Sequence, residues 1–248
     1  VNQVIYSKDG AVASIRLNRP EKKNAITVAM YQAMFDALED SARDAEIRAV
    51  GIFGGDDFTA GNDIGDFLAA GALSEDLPAI KLLRALFAFP KPLLAGVKGV
   101  AIGIGTTLLL HCDAIVAGKS ARFAMPFVKL GLVPEAGASA LLPLVAGRMR
   151  ASWLILSGEQ FGAEEAKDMG LVTRVVADAD VDGAVAMMCG ALAELPPNAM
   201  TTTKHLLKAQ YATQIGAAMN DELTAFVAAL KSDEARAAFM KFMAGTRS

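Results

Sequence analysis

Two glycine turns and one glutamate are the residues of this chain whose types and spacing suit chemistry. The first turn lies in Phe58-Thr-Ala-Gly-Asn-Asp-Ile64. The second carries Gly99, Gly103 and Gly105, between the apolar strand signal Leu93 to Val97 and a helical run from Thr106 to His111. Glycine lets a backbone approach a ligand closely. A helix that starts just after such a turn has free N–H groups and the positive end of its dipole in front of it. Both turns therefore suit the holding of negative charge. The glutamate is Glu135 in Leu132-Val-Pro-Glu-Ala-Gly137. After Pro134 it reads first as an ordinary first-turn helix acid, which residue statistics alone favour; a proton carrier is the other reading.

Around the second turn, two other readings fail. A dinucleotide fingerprint wants G-x-G-x-x-G, whereas these glycines run G-x-x-x-G-x-G. A membrane span wants an uninterrupted apolar run, whereas Lys98, His111 and Asp113, Pro92 and three glycines interrupt this one. The stretch from Pro90 to Ala117 reads as a buried element to which the rest of the chain is fitted.

Composition narrows the class. The 248 residues allow one large domain, or one domain with an appendage, and 53% hydrophobic residues supply a sizeable core. A net charge of −3 argues against a general nucleic-acid binder. Cys112 and Cys189 each sit in an apolar run and read as reduced and buried, and two His with two Cys far apart give no support to a zinc site. Lys8 and Asp9 interrupt any early apolar run, so no signal peptide is read and a cytoplasmic protein that enters no membrane is expected.

The elements that must position the turns follow in order. Alternation around Lys8-Asp9-Gly10 predicts a hairpin over residues 2–17. Thr27 predicts a helix cap, with the helix running to about Asp44 and Met30, Met34, Phe35 and Leu38 on one face. Ala49 to Phe53 is a buried strand, Leu77 to Phe89 a helix, and Ala114 to Ala117 and Ala121 to Pro126 are strands. Helices are predicted to about Ala146 after Ser139, then over Ala151–Ser157 and Ala163–Met169, with a strand over Leu171–Val176. Strand, glycine turn, helix, strand recurs as a degenerate repeat. From Val181 only helical blocks remain: 181–194, about 198–214, and 216–243. The chain thus divides at 180 into a core carrying the site and a helical region. Met219, Leu223, Phe226, Leu230, Phe239, Phe242 and Met243 make the last block more apolar than a peripheral helix needs, which predicts subunit contact there.

Three motifs then coincide in order. Phe58 to Ile64 resembles the F-x-A-G-x-D-[IL] signature of the crotonase (enoyl-CoA hydratase/isomerase) superfamily. Lys98 to Leu108, with Cys112-Asp113, and Phe123 to Gly137 resemble its two other blocks; Asn18-Arg-Pro, Asn24-Ala25 and Gly158 to Val172 fit as well. The resemblance covers nearly the whole chain. It implies an α/β fold, a spiral of repeated ββα units with a helical C-terminal trimerisation region, hence a homotrimer or hexamer. It implies an acyl-CoA substrate whose enolate is held by two backbone N–H groups, those of Asn62 and Ile104, with no separate cofactor and no metal. Lys22, Asn24, Ala60, Asp63, Ile64 and Lys241 are the positions it suggests for binding the CoA portion.

The carboxylates discriminate within the family. Hydratases resembling this chain carry glutamates at the positions of Thr107 and Phe127, and neither residue here activates water at neutral pH. Glu135 stands where the Δ3,Δ2-enoyl-CoA isomerase branch carries its single acid, and Phe127, Leu130 and Leu132 are candidate walls around it. The expectation is a double-bond isomerase with Glu135 as proton shuttle. Hydration through another acid, and acyl-CoA binding without turnover, are the two other readings.

Overall fold

The computed structural model describes residues 2–63, 65–66, 77–243 and 245. Two sheets organise it. The larger is β1 (Val4–Asp9), β2 (Val12–Leu17), β3 (Ala49–Phe53), β4 (Leu93–Val97), β6 (Ala114–Gly118) and β9 (Arg174–Val176), in the order β1-β2-β3-β4-β6-β9. Its first pair is the antiparallel hairpin turning at Gly10, and every later pair is parallel. β3 and β4 are buried at every residue, as parallel strands covered on both faces must be.

The smaller sheet is β5 (Val100–Ile102), β7 (Arg122–Ala124) and β8 (Phe161–Gly162). The glycine-rich stretch after β4 thus contains a three-residue strand where the sequence suggested only a turn. The chain leaves β4 for β5 and then enters α3 (Ile104–Thr107), and it leaves β6 for β7 in the same way. Each unit lays one strand in the large sheet and one in the small sheet, which is the repeated ββα spiral. Thr59 joins the small sheet through a single bridge to Ala101.

Helices cover both faces of the large sheet. α1 (Val28–Arg43) begins where Thr27 Oγ1 accepts the Met30 N–H at 3.2 Å, the expected cap. Its Met30, Met34 and Leu38 are buried, and it packs beside α2 (Pro78–Ala88). α4 (Ala138–Ala146), α5 (Arg148–Ser157) and α6 (Ala163–Asp168) follow. α7 (Val181–Ala193) covers the opposite face, with Val181, Val185 and Cys189 set against Ala49, Phe53, Leu94 and Val116. The expected division at 180 therefore falls between this helix and the sheet it covers. Cys112 and Cys189 are both free thiols.

α8 (Pro197–Ala209) leads to the last block, which is two helices rather than one: α9 (Ala212–Leu230) and α10 (Asp233–Met243). Ser232 breaks it, its hydroxyl accepting the Ala235 N–H at 3.0 Å as a local cap. Part of the apolar excess of this block is buried inside the chain itself. Phe226 and Phe239 are buried within the chain's own core, and Met219 and Leu230 pack on it. Exposed large apolar side chains among the described residues include Met149, Trp153 and Leu156 on α5, Met187 on α7, Leu206 and Leu207 on α8, and Met240 on α10.

Candidate active site

The two glycine turns are pressed together. Thr59 N–H donates to Val100 O at 2.9 Å, and Ile102 N–H donates to Thr59 O at 3.0 Å. Gly61 has φ +94°, and a Cβ there would stand 2.8 Å from Ile102 O. A Cβ on Gly105 would stand 2.6 Å from Thr59 Cγ2. Glycine is required at these two positions by close approach of backbone to neighbour. The hydrogen bonds around Asn62 skip its own amide: Ile26 N–H goes to Gly61 O and Asp63 N–H to Ile26 O. The bonds around Ile104 do the same, since the Thr106 and Thr107 amides both return to Gly103 O. Among the described residues no backbone acceptor takes the N–H of Asn62 or Ile104, which is the requirement for a pair of oxyanion donors.

Two cavities meet at Asn62 and Phe226. One, of about 120 Å³, is lined by the glycine turns together with Phe127, Leu130 and Leu132. The other, of about 50 Å³, is lined by Glu135 and Tyr31 and walled by Ile80, Leu83, Met219 and Leu223. The residues expected to wall Glu135 thus wall the donors instead, and the walls of Glu135 come from α2 and α9. Among the described residues Glu135 is the one carboxylate lining either cavity.

Glu135 sits among apolar side chains, and burial pushes its pKa up to about 7. The Thr107 hydroxyl, donating to Oε1 at 2.7 Å, pulls the other way. The negative charge of Glu222 adds to the rise. A carboxyl near pH 7 both takes and returns a proton, which suits acid–base work. Thr107, standing where a second acid was sought, here orients the one acid present.

Tyr31 was not found from the sequence. It is a buried α1 residue whose period-3.6 position reads as core. Its hydroxyl donates to Asn62 Oδ1 at 2.5 Å. Burial, and then the charge of Glu135, hold the phenol well above its usual pKa, so it stays protonated and a donor. The side chain of Asn62, immaterial to an N–H donor in principle, is here the handle that ties the donor turn to α1. Glu222 was also unforeseen, because nothing in a helical sequence 85 residues away points to it.

The positions suggested for CoA divide. Ala60 lines the larger cavity. Lys22 is exposed at the end of the Pro20–Lys22 turn, and Lys241 is exposed on α10. Asn24 is committed to its own loop, accepting Arg19 N–H at 2.7 Å and donating to Asp57 O at 2.8 Å. Asp63 is committed to Arg19 at 2.8 Å and to the Asp66 N–H at 3.1 Å, with its pKa lowered chiefly by Arg19. Both side chains therefore shape the loop. Ile64 lies outside the described residues. His111 is buried, its Nε2 2.8 Å from Ala136 O. Asp113 fixes the start of β4 through the Leu93 N–H at 2.8 Å. Among the described residues no cluster suits a metal ion, and no helix is long and apolar enough to cross a membrane.

Residues 7–246 match the profile of the enoyl-CoA hydratase/isomerase family. Enoyl-CoA delta isomerase 2 of Rattus norvegicus is 35% identical over 246 residues, which are 97% of this chain and 63% of that protein. The chain therefore spans somewhat under two thirds of the length of that relative. The 2,3-dehydroadipyl-CoA hydratase of Escherichia coli is 34% identical over 236 residues, covering 92% of this chain and 91% of that one. The crystal structure of an enoyl-CoA hydratase/isomerase from Pseudoalteromonas atlantica superposes with a TM-score of 0.96 at 39% identity, covering 99% of this chain and 98% of that one.

Proposed function

The chain belongs to the enoyl-CoA hydratase/isomerase family, and from that premise we propose that it is a Δ3,Δ2-enoyl-CoA isomerase working with one acid. The observation that carries this is Glu135, the single carboxylate at the cavities among the described residues, beside two backbone donors that no backbone acceptor claims among those residues. Ionised Glu135 removes the C2 proton of a 3-enoyl-CoA. The electron pair left at C2 moves into the thioester, and its oxygen becomes the dienolate anion held by the Asn62 and Ile104 N–H groups. Protonated Glu135 then returns the proton at C4, and the double bond closes between C2 and C3. No atom is gained or lost, and one group serves as base and then acid. Each donor supplies roughly 10²–10³ in rate when aimed at the developing charge.

Hydration needs a second group to activate water, and Thr107 and Phe127 stand where that acid would be. The exposed apolar residues on α5, α7 and α8 support a homo-oligomer, trimeric or hexameric, as the assembled form. The deciding experiment incubates the protein with 3-enoyl-CoA and separately with 2-enoyl-CoA and identifies products by mass. The expected result is a conjugated product of unchanged mass from the first, abolished in Glu135→Gln. Addition of water to the second, surviving Glu135→Gln, would replace the proposal with a hydratase. Binding without turnover of either would leave an acyl-CoA carrier.

A further inference from the structure

Glu135 sits on a turn that needs support. Ala136 has φ +64° and Gly137 φ +74°, two successive left-handed residues of which the first carries a side chain. That region costs an ordinary residue roughly 1–2 kcal/mol and persists only when its surroundings over-determine it. His111 Nε2 holds Ala136 O at 2.8 Å, and a carbonyl only accepts, so Nε2 carries the proton. Ala138 N–H returns to Glu135 O at 3.1 Å. Two further amides go to one buried side chain from α9: Glu222 Oε2 accepts the Gly137 N–H at 2.6 Å, and Oε1 accepts the Ser139 N–H at 2.7 Å.

Glu222 lies on the helix face that also carries Met219, Leu223 and Phe226, the i, i+3, i+4, i+7 stripe that walls the Glu135 cavity. One helix thus supplies both part of the apolar wall and the clamp. A neutral Ser or Asn at the start of α4 would cap it locally. A buried carboxylate from far along the chain costs more to bury and adds a negative charge.

We propose that Glu222 is the positioning residue of the site: it fixes the left-handed turn that aims Glu135 and places a second negative charge behind it. The inference rests on Glu135 as the proton carrier. Among the described residues, the titratable or charged groups around Glu135 are Tyr31 from α1, Arg84 from α2, His111 from the turn after α3, and Glu222 from α9. Tyr31 stays protonated, and burial keeps His111 neutral by lowering its pKa to about 4. Glu222 acts with burial to favour the protonated acid.

Glu222→Gln keeps the shape, offers one acceptor oxygen in place of two, and removes the charge. Its effect is read first without turnover, by ¹³C NMR titration of glutamate-labelled protein with the Glu135 resonance assigned through Glu135→Gln. The expected midpoint falls from that of the parent by roughly half a unit or more. The isomerase kcat at pH 8 is expected to drop about tenfold with KM nearly unchanged, as an acid moved off its line requires. A midpoint that stays or rises in a cooperatively folded Glu222→Gln overturns the proposal. Should that variant fail to fold, Glu222→Asp decides: it keeps the charge and shortens the reach, so an unchanged midpoint with lowered kcat supports the clamp, and unchanged kcat overturns it. Absence of isomerase turnover in the parent would defeat the proposed function, while the titration would still decide the role of Glu222.

Discussion

At the scale of single residues, the site works at the expense of stability. Glu135 has a pKa of about 7 folded against 4.5 for an ordinary glutamate. Below the lower value it is protonated in both states and contributes nothing. As pH rises toward 7 the unfolded chain ionises while the folded one stays protonated, so stability falls; above 7 the loss is complete, at most about 3 kcal/mol. Glu135→Gln is therefore expected to be more stable than the parent at pH 8 by up to that amount and equal to it at pH 4. Denaturant melts at the two pH values check this, and equal stability at pH 8 would mean the carboxyl is not held protonated by its surroundings. Tyr31→Phe probes the partner turn. It leaves the half-buried Asn62 Oδ1 without the donor now 2.5 Å away, a loss of about 1 kcal/mol. Because that bond steadies the donor turn rather than gripping the substrate, kcat is expected to fall about tenfold with KM little changed. Steady-state kinetics on a 3-enoyl-CoA measures the split.

At the scale of elements, the turns were legible and the walls were not. Glycine spacing points to both donor turns because only glycine tolerates such contacts, and a cap residue such as Thr27 announces its helix locally. The strand β5 escaped because three residues between glycines carry no period. The walls of the Glu135 cavity escaped because Ile80, Leu83, Met219 and Leu223 look like any amphipathic stripe, and only the folding of α9 back over α2 and α4 decides what they face. Gly51 and Gly96 stand in strands β3 and β4 against Phe53, a packing matter, while Gly61 is a matter of chemistry. In Gly61→Ala, the new Cβ would meet Ile102 O at 2.8 Å from a φ of +94°, and the turn that presents Asn62 N–H must shift. Activity is expected to fall about 100-fold, the usual cost of one misplaced oxyanion donor. Gly10→Ala is the control: its φ of +55° is also left-handed, but the space around it is open. It is expected to cost about 1 kcal/mol of stability and no activity. Thermal melts beside kcat/KM for the two variants separate backbone strain from damage to the site.

At the scale of the molecule, the question is whether the helical C-terminal region is an appendage. Composition suggests a break at 180, since strand signals end there. The packing joins what composition separates. α7 seals one face of the large sheet through Val181, Val185 and Cys189. α9 walls the cavity and clamps the Glu135 turn, and α10 lies so close to Gly131 that a Cβ there would stand 2.8 Å from Ala235 Cα. Removing residues 181–248 would uncover Phe53, Leu94 and Val116 and take away the buried Val181, Val185, Ile215, Phe226 and Phe239. At about 1.5–3 kcal/mol for each large apolar side chain, that loss is on the order of 10 kcal/mol, comparable to the whole stability of a domain. A fragment of residues 1–180 is thus expected to show no cooperative thermal transition by circular dichroism, and the full chain to melt in one step. A fragment that melts cooperatively would make the spiral an independent unit with the helices as a detachable cover. It would then be expected to lack turnover even when folded, because Glu135 would have lost both the α9 part of its apolar wall and the carboxylate that holds its turn.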